Sequence, residues 1–270
     1  MTAIMERRLT SWDEFVQTVE SLDQGSPYLG RYLFRGQACA AWSLDPRLAR
    51  ITRGIVNEDR AQEIERFITQ EFQAQAHLYV PHRMVFRDDD VISQWGLMQH
   101  YGAPTRLLDW TFSPYVAAYV AANDHPDDDG AVWVINAQAV KVAARRTFKD
   151  RYPLPRTLAG QTKAVRAPSA KPVLYFTNLR FHTDRMAAQR MAFTLVNRVI
   201  CDHAEAAMTL DVPAEALVKL VLPVEEKLTV MRRLRRMNIT ARSLFPGVDG
   251  LGRSAAELAH LEAAYKEGHS

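Results

Sequence analysis

The sequence predicts an α+β fold in which a small mixed β-sheet is flanked by helices near the N-terminus, the centre and the C-terminus. Short runs of β-branched and aromatic residues between turn signals indicate strands. Apolar residues spaced three and four apart indicate amphipathic helices in other segments. With 270 residues, 47% of them hydrophobic, the chain can bury a substantial core. Neither a repeat nor a clear linker divides it, so we expect one domain over residues 1–270.

The predicted strands and helices alternate along the chain. Strands are predicted at 32–37, 105–110, 131–135, 173–176, 192–196 and 216–222. Helices are predicted at 12–22, 58–79, 91–98, 114–122 and 225–237, with a last helix after a cap at Ser254. Ser113 and Pro114 suit the N-cap and the first position of the 114–122 helix. The 58–79 helix should bury an apolar face formed by Ile64, Phe67, Ile68 and Phe72.

The net charge is only +3, but its distribution is uneven. Residues 141–200 carry 13 Lys and Arg against 2 Asp and Glu, a surplus of 11 positive charges in one segment. Such a segment attracts the phosphate groups of nucleotides or nucleic acids; the alternative is a solvated surface with a basic bias. Four prolines lie between 141 and 172, so we expect a partly irregular segment that serves as a lid or binding element.

The small number of cysteines and the lack of long apolar runs indicate the cellular setting. Cys39 and Cys201 lie far apart and no signal-peptide pattern precedes them, which favours a reducing cytoplasm without disulfides. No apolar run approaches the roughly 20 residues of a membrane span, so we expect no membrane partner. The acidic run at 88–90 precedes a helix, where it suits the helix dipole, and we assign no metal to it.

The segment 99–110, Gln-His-Tyr-Gly-Ala-Pro-Thr-Arg-Leu-Leu-Asp-Trp, has an unusually diverse set of polar side chains. Arg106 and Asp109 are costly to bury without partners. They could form an internal ion pair that fixes the fold, or they could face a ligand. His100 and Tyr101 could line the same pocket or simply brace the turn.

A second candidate for ligand binding lies at the end of the predicted strand 32–37. Arg35 there could leave the core and face a ligand, or it could pair with a structural acid. Gly36 permits the close approach of backbone or ligand.

These motifs resemble the FRG domain family, whose defining motif is similar to Phe-Arg-Gly-Gln at 34–37. Further similar blocks follow in order at 42–46 with Arg50, at 99–110 with Ser113, Pro114 and 117–119, at Arg185 to Gln189 with 193–194, and at 244–251. Together they cover about residues 30–251. Met191 departs from the pattern, which has a glycine there. The family is known mainly from bacteria and phages.

A weaker resemblance, to ADP-ribosyltransferases of the Arg-Ser-Glu type, implies a split mixed sheet and NAD as cofactor. In that family a first strand ends in an apolar-aromatic-Arg-Gly pattern, which residues 32–36 resemble. The corner from Thr111 to Ser113 is similar to the one that supports the nicotinamide pocket. The family's catalytic Glu matches Gln189, which is not an acid. Asp109, Glu225 or Glu226 would then supply the carboxylate, or only binding would remain.

Together, the patterns and the resemblance imply a set of site residues. The candidate catalytic residues are Arg35, Gln189 and Asp109. The candidate cofactor-binding residues are Arg35, Gly36, Gln37, His100, Tyr101, Arg106, Thr111 and Ser113. We expect one cleft in which six of these side chains converge, namely Arg35, His100, Tyr101, Thr111, Ser113 and Gln189.

Two functions of different class remain open. The first is an NAD-dependent ADP-ribosyltransferase or NAD glycohydrolase, an effector of a toxin or antiphage-defence system. Its partners would be a protein or nucleic acid as ADP-ribose acceptor and an antitoxin. The second is a non-catalytic nucleotide or nucleic-acid binding module that uses the basic 141–200 segment, including Arg145, Arg146, Arg151 and Arg156. Its binding should weaken steeply with salt.

Overall fold

Seven described strands form one sheet at the centre of the molecule. The computed structural model describes residues 4–22, 31–80 and 89–267. The strands are β1 Met5–Arg8, β2 Tyr32–Gln37, β3 Leu108–Thr111, β4 Gly130–Asn136, β5 Leu174–Thr177, β6 Met191–Val196 and β7 Leu217–Leu222. Their order is β1-β7-β4-β2-β3-β6-β5. Only β1 and β7 pair in parallel, so the sheet is mixed.

The sheet has two halves that meet at a narrow seam. Six residue pairs join β2 to β4, whereas the single pair Phe34 and Thr111 joins β2 to β3. Arg35 directly follows Phe34, and it therefore lies where the two halves separate. No sequence pattern predicts β1, because its residues Met-Glu-Arg-Arg are all exposed.

Helices cover the sheet on both faces, which confirms the predicted α+β class. They are α1 Trp12–Leu22, α2 Arg47–Thr52, α3 Glu58–Ala76, α4 Val91–His100, α5 Pro114–Asn123, α6 Ala137–Phe148, α7 Leu158–Arg166, α8 Asp184–Ala188, α9 His203–Met208, α10 Val224–Arg236, α11 Ala241–Leu244 and α12 Val248–Glu267. Two 3-10 turns lie at Lys149–Arg151 and Ala214–Ala216. None of the helices in the described part of the chain is long and apolar enough to cross a bilayer.

The two larger of three apolar clusters among the described residues lie on the two sides of the sheet. The larger contains Trp95, Trp110 and Trp133. The second packs α1, α5 and α10 against the strands and includes Phe15 and Leu234.

Helix α5 begins as predicted and lies unusually close to β2. The Ser113 side chain accepts a hydrogen bond from the Val116 backbone N–H at 3.4 Å, and Pro114 takes the first helical position. A Cβ at Gly36 would overlap the carbonyl oxygen of Ala117. Gly36 therefore allows the backbone of α5 to pack closely on β2. The sequence left open whether this glycine admits backbone or a ligand.

The buried face of α3 differs from the prediction. Phe67 is 62% exposed, while Glu65 is 1% exposed and faces the core. A pattern of apolar residues treats a glutamate as solvent-facing, and it misses an acid whose partner comes from elsewhere in the chain.

Two predicted loops are more regular than expected. The basic 141–172 segment contains most of α6 and all of α7, because Val140, Ala144 and Val165 anchor these helices in the core. Helix α12 begins at Val248, inside the predicted 243–251 loop. Helix α3 ends at Ala76; Pro81, which is predicted to end it, lies outside the described residues, as does Asp88.

Candidate functional site

A cavity of about 840 Å³, here called the first cavity, opens at the end of β2. Its walls come from the strand end at 35–38, from Trp42 and Arg50 in the segment that follows, and from Val120 and residues 124–126 at the end of α5. The close packing of α5 on Gly36 brings these walls together.

Arg35 is the most informative side chain of this cavity. Its Nη1 donates a hydrogen bond to the Asp109 backbone carbonyl at 2.8 Å, across the seam between the sheet halves. Its Nε is buried and has no hydrogen-bond partner among the described residues. Burial lowers the pKa of Arg35, the Asp109 carboxyl opposes this shift, and the nearby Arg50 adds to it. The guanidinium is thus fixed at one nitrogen and unsatisfied at another.

The other groups of the cavity combine positive charge with aromatic surface. Arg50 is exposed and donates from Nη1 to the Asp45 carbonyl at 2.7 Å. Trp42 is 46% exposed, and its ring meets the His125 ring edge-to-face at a centroid distance of 4.9 Å. Guanidinium groups suit phosphate and an exposed indole suits a planar ring.

Lys227 of α10 holds two walls of the cavity together. Its ammonium is buried and donates to three carbonyl oxygens, those of Ala38 at 2.7 Å, Asp124 at 3.0 Å and His125 at 2.7 Å. An ammonium has three N–H donors, so these contacts satisfy it fully. Burial lowers the pKa of Lys227, and neighbouring acids oppose the shift. The lysine therefore ties the end of β2 to the end of α5.

Asp109 lies beside the seam and is held by an amide. Its carboxylate accepts a hydrogen bond from the Gln99 side chain, and Gln99 accepts one from the Thr105 hydroxyl. Burial raises the pKa of Asp109, whereas Arg35 and Arg185 oppose this shift. The acid and its partners thus brace the 99–110 segment internally.

A second cavity, of about 530 Å³, contains His100 and Tyr101. Its other lining residues are Phe181, His182, Thr183, Asp184, Arg185 and Pro246. It shares no lining residue with the first cavity. The expectation of one cleft that unites Arg35 with His100 and Tyr101 is therefore wrong, because the motifs line two separate cavities.

Three other predicted residues line neither of these two cavities and instead stabilise the corner before α5. Thr111 donates from its hydroxyl to the Gln189 carbonyl at 2.7 Å and accepts from the Ser113 N–H at 3.0 Å. The Gln189 amide donates to the Leu244 carbonyl at 3.0 Å. Gln189 thus joins β3 to the end of α11.

Gln37 lines the first cavity, but both ends of its amide are used. Its Nε2 donates to the Ser43 carbonyl at 2.8 Å, and its Oε1 accepts from the Trp133 indole at 2.6 Å. This side chain lines the cavity and has a protein partner at each end of its amide.

Arg106 does not have the cofactor-binding role expected of it, because it is buried and paired with Glu65. It is fully buried, and Nε and Nη2 bind the two carboxylate oxygens of Glu65, with 2.7 Å for the Nε contact. Its Nη1 donates to the Val165 and Val196 carbonyls at 2.9 and 3.3 Å, and its guanidinium lies 4.9 Å from the centroid of Trp95. The assignment to cofactor binding is corrected, and so is the alternative of an ion pair with Asp109. The partner is Glu65.

Sequence reasoning missed several contributors to the two cavities. Trp42, Arg50 and Arg185 belong to the blocks that resemble the family. The motifs therefore marked these residues, but no function was assigned to them. No motif pointed to Lys227 or His125. A lysine on a polar helix face, such as Lys227, is usually solvated.

Residues 30–130 match the model of the FRG domain family. The matched residues include β2, the 99–110 segment, α5 and every lining residue of the first cavity. No curated protein and no solved structure matches the chain.

Proposed function

We propose that the chain binds a nucleotide of the NAD class in the first cavity and acts as an ADP-ribosyltransferase-like effector. The observation that carries this proposal is the buried Nε of Arg35, which has no partner among the described residues. A buried donor without an acceptor is costly. Because this nitrogen is buried, Arg35 must shift towards the cavity for a phosphate oxygen of a bound nucleotide to satisfy it.

The cavity chemistry supports the same class of ligand. Arg35 and Arg50 offer guanidinium groups to a diphosphate, and the exposed face of Trp42 offers stacking to a base or nicotinamide ring. A volume of about 840 Å³ has the size of a cofactor site.

The proposed reaction breaks the bond between nicotinamide and ribose. Nicotinamide leaves with the bonding electrons, and the nucleophile of a protein or nucleic-acid acceptor bonds to the ribose carbon and gives up its proton. A carboxylate near the ribose stabilises the positive charge that develops. We assign this role to Asp109, whose charge acts on Arg35, although its carboxylate is held by Gln99 and does not line the first cavity in this structure. Gln189 carries no charge, and its amide donates to the Leu244 carbonyl. The toxin or antiphage setting, with an antitoxin partner, follows from the family resemblance.

The test is calorimetric titration of the full chain with NAD⁺, together with chromatographic detection of released nicotinamide. Arg35→Ala should lose binding and turnover, whereas Arg60→Ala, an exposed arginine of α3, should keep both. Circular dichroism checks that each variant is folded. A folded wild type that neither binds nor cleaves NAD⁺ would contradict the proposal. Binding without turnover would keep the nucleotide site and reject the transfer reaction.

A second candidate function, nucleic-acid binding, rests on the basic 141–200 segment. None of its Lys or Arg side chains forms a salt bridge with a described residue. Arg145, Arg146 and Arg156 are exposed. If this segment binds nucleic acid, affinity should fall steeply with salt and the triple alanine variant should weaken it for all base sequences alike.

A further inference from the structure

Arg185 of α8 is a motif residue whose guanidinium has no hydrogen-bond or salt-bridge partner among the described residues, although the charges of Asp109 and Asp249 act on it. It lies over the Phe245 ring, with the guanidinium carbon 4.6 Å from the ring centroid. No hydrogen bond or salt bridge joins this guanidinium to a residue in the described ranges. The side chain is partly buried, so its donors are neither satisfied by protein nor fully hydrated.

The surroundings of Arg185 in the second cavity favour an anion. Thr183 Oγ1 lies 3.4 Å from His100 Nδ1, so a hydroxyl and an imidazole meet there, and His182 lines the same cavity. Asp184 is exposed to solvent, where its charge is screened. Hydroxyl, imidazole and guanidinium groups together suit the oxygens of a phosphate.

One wall of the cavity also offers an aromatic surface. Tyr101 is 55% exposed, and its ring stands edge-to-face to His100 at a centroid distance of 4.9 Å. An exposed ring next to a phosphate-binding group can stack on a nucleobase.

We propose that the second cavity is a separate binding site for a nucleoside monophosphate, with the phosphate on Arg185, Thr183 and His100 and the base against Tyr101. The site does not depend on a ligand in the first cavity, since the two share no lining residue. The ligand of the second cavity would be a phosphorylated nucleoside, free or at the end of a nucleic acid.

The test is calorimetric titration with 5′-AMP, adenosine and inorganic phosphate at low ionic strength. All chains carry Arg35→Ala, so that binding in the first cavity is suppressed. Adding Arg185→Ala should weaken AMP binding by about tenfold or more, because a charge-assisted hydrogen-bonding fork is lost. Arg180→Ala, an exposed arginine of the same segment that does not line the cavity, should leave it unchanged.

Two further variants keep the proposal falsifiable. Arg185→Lys retains the charge without the fork, and it should bind AMP with intermediate affinity even if Arg185→Ala fails to fold. Tyr101→Ala should weaken AMP but not inorganic phosphate. Equal AMP binding by the Arg185 and Arg180 variants, equal binding of adenosine and AMP, or no binding of phosphate would each overturn the proposal.

Discussion

Two arginines of the motif-bearing segments lie in opposite chemical environments. Arg106 stands where α3, α4, α7 and β6 meet, and a carboxylate and two carbonyls accept from it. Arg35 stands at the seam of the sheet, fixed at Nη1 and unsatisfied at Nε. Both arginines have apolar neighbours in the sequence. They differ in the number of groups that accept hydrogen bonds from them. A fully satisfied buried arginine fixes a fold, whereas an unsatisfied one beside a cavity needs an explanation, for which we propose a ligand.

The Arg106 region should be the more sensitive to substitution. Arg106→Met leaves Glu65 buried without its partner and should lower the free energy of unfolding by about 3–5 kcal/mol. Urea unfolding followed by circular dichroism measures this loss. Adding Glu65→Leu should recover much of it, because both charges are then gone. A double variant as unstable as the single one would contradict the view that the loss comes from leaving the Glu65 charge buried without a partner.

The Lys227 clamp tests whether the Arg35 region also has a structural component. Lys227→Met leaves three carbonyl oxygens without their donor and should lower the free energy of unfolding by about 2 kcal/mol or more. It should also weaken NAD⁺ binding, since the ends of β2 and α5 are no longer tied. Lys163→Met, an exposed lysine of α7, is the control and should change neither quantity.

His203 lies between the two regions and should make stability depend on pH. Burial, then the charge of Arg35, lower its pKa to about 3. The unfolded chain binds this proton below about pH 6.5. The stabilising contribution of neutral His203 is therefore complete above that pH and is lost as the pH falls towards 3.

The corresponding measurement is the free energy of unfolding between pH 6 and 4. His203→Asn should reduce its slope by up to about 1.4 kcal/mol per pH unit. Asp109 and Asp202, whose pKa values are raised by burial, act in the opposite direction and are common to both chains. Exposed His260 provides the control as His260→Asn. An unchanged slope in the His203 variant would contradict the burial of a neutral imidazole.

The smallest effect is expected at Ser113, which stands near the seam without lining either cavity. Ser113→Ala removes the N-cap of α5 and should cost about 1 kcal/mol. Ser113→Asn keeps a capping side chain and should retain both stability and NAD⁺ affinity. Loss of NAD⁺ affinity in a stable Ser113→Asn variant would show that Ser113 takes part in NAD⁺ binding.

The sequence patterns located six of the seven described strands, the cap at Ser113 and the place of Arg35 on β2, because these depend on neighbours in the chain. The partner of Arg106 was beyond them, since Glu65 lies 41 residues earlier on a helix whose pattern faces it outward. The three acceptors of Lys227 come from two other elements of the fold. The division of the motif residues between two cavities was equally hidden, because adjacent motifs do not reveal which side of the seam each one faces.

The account is tested most directly by urea unfolding of Arg35→Ala beside Arg106→Met, each with and without NAD⁺. We expect Arg35→Ala to unfold within about 1 kcal/mol of the wild type, because few protein contacts are lost, and to gain no stability from NAD⁺. Arg106→Met should be strongly destabilised and should still gain stability from NAD⁺ through binding to its folded fraction. An Arg35→Ala chain as unstable as Arg106→Met, or one that NAD⁺ stabilises as it does the wild type, would contradict the account.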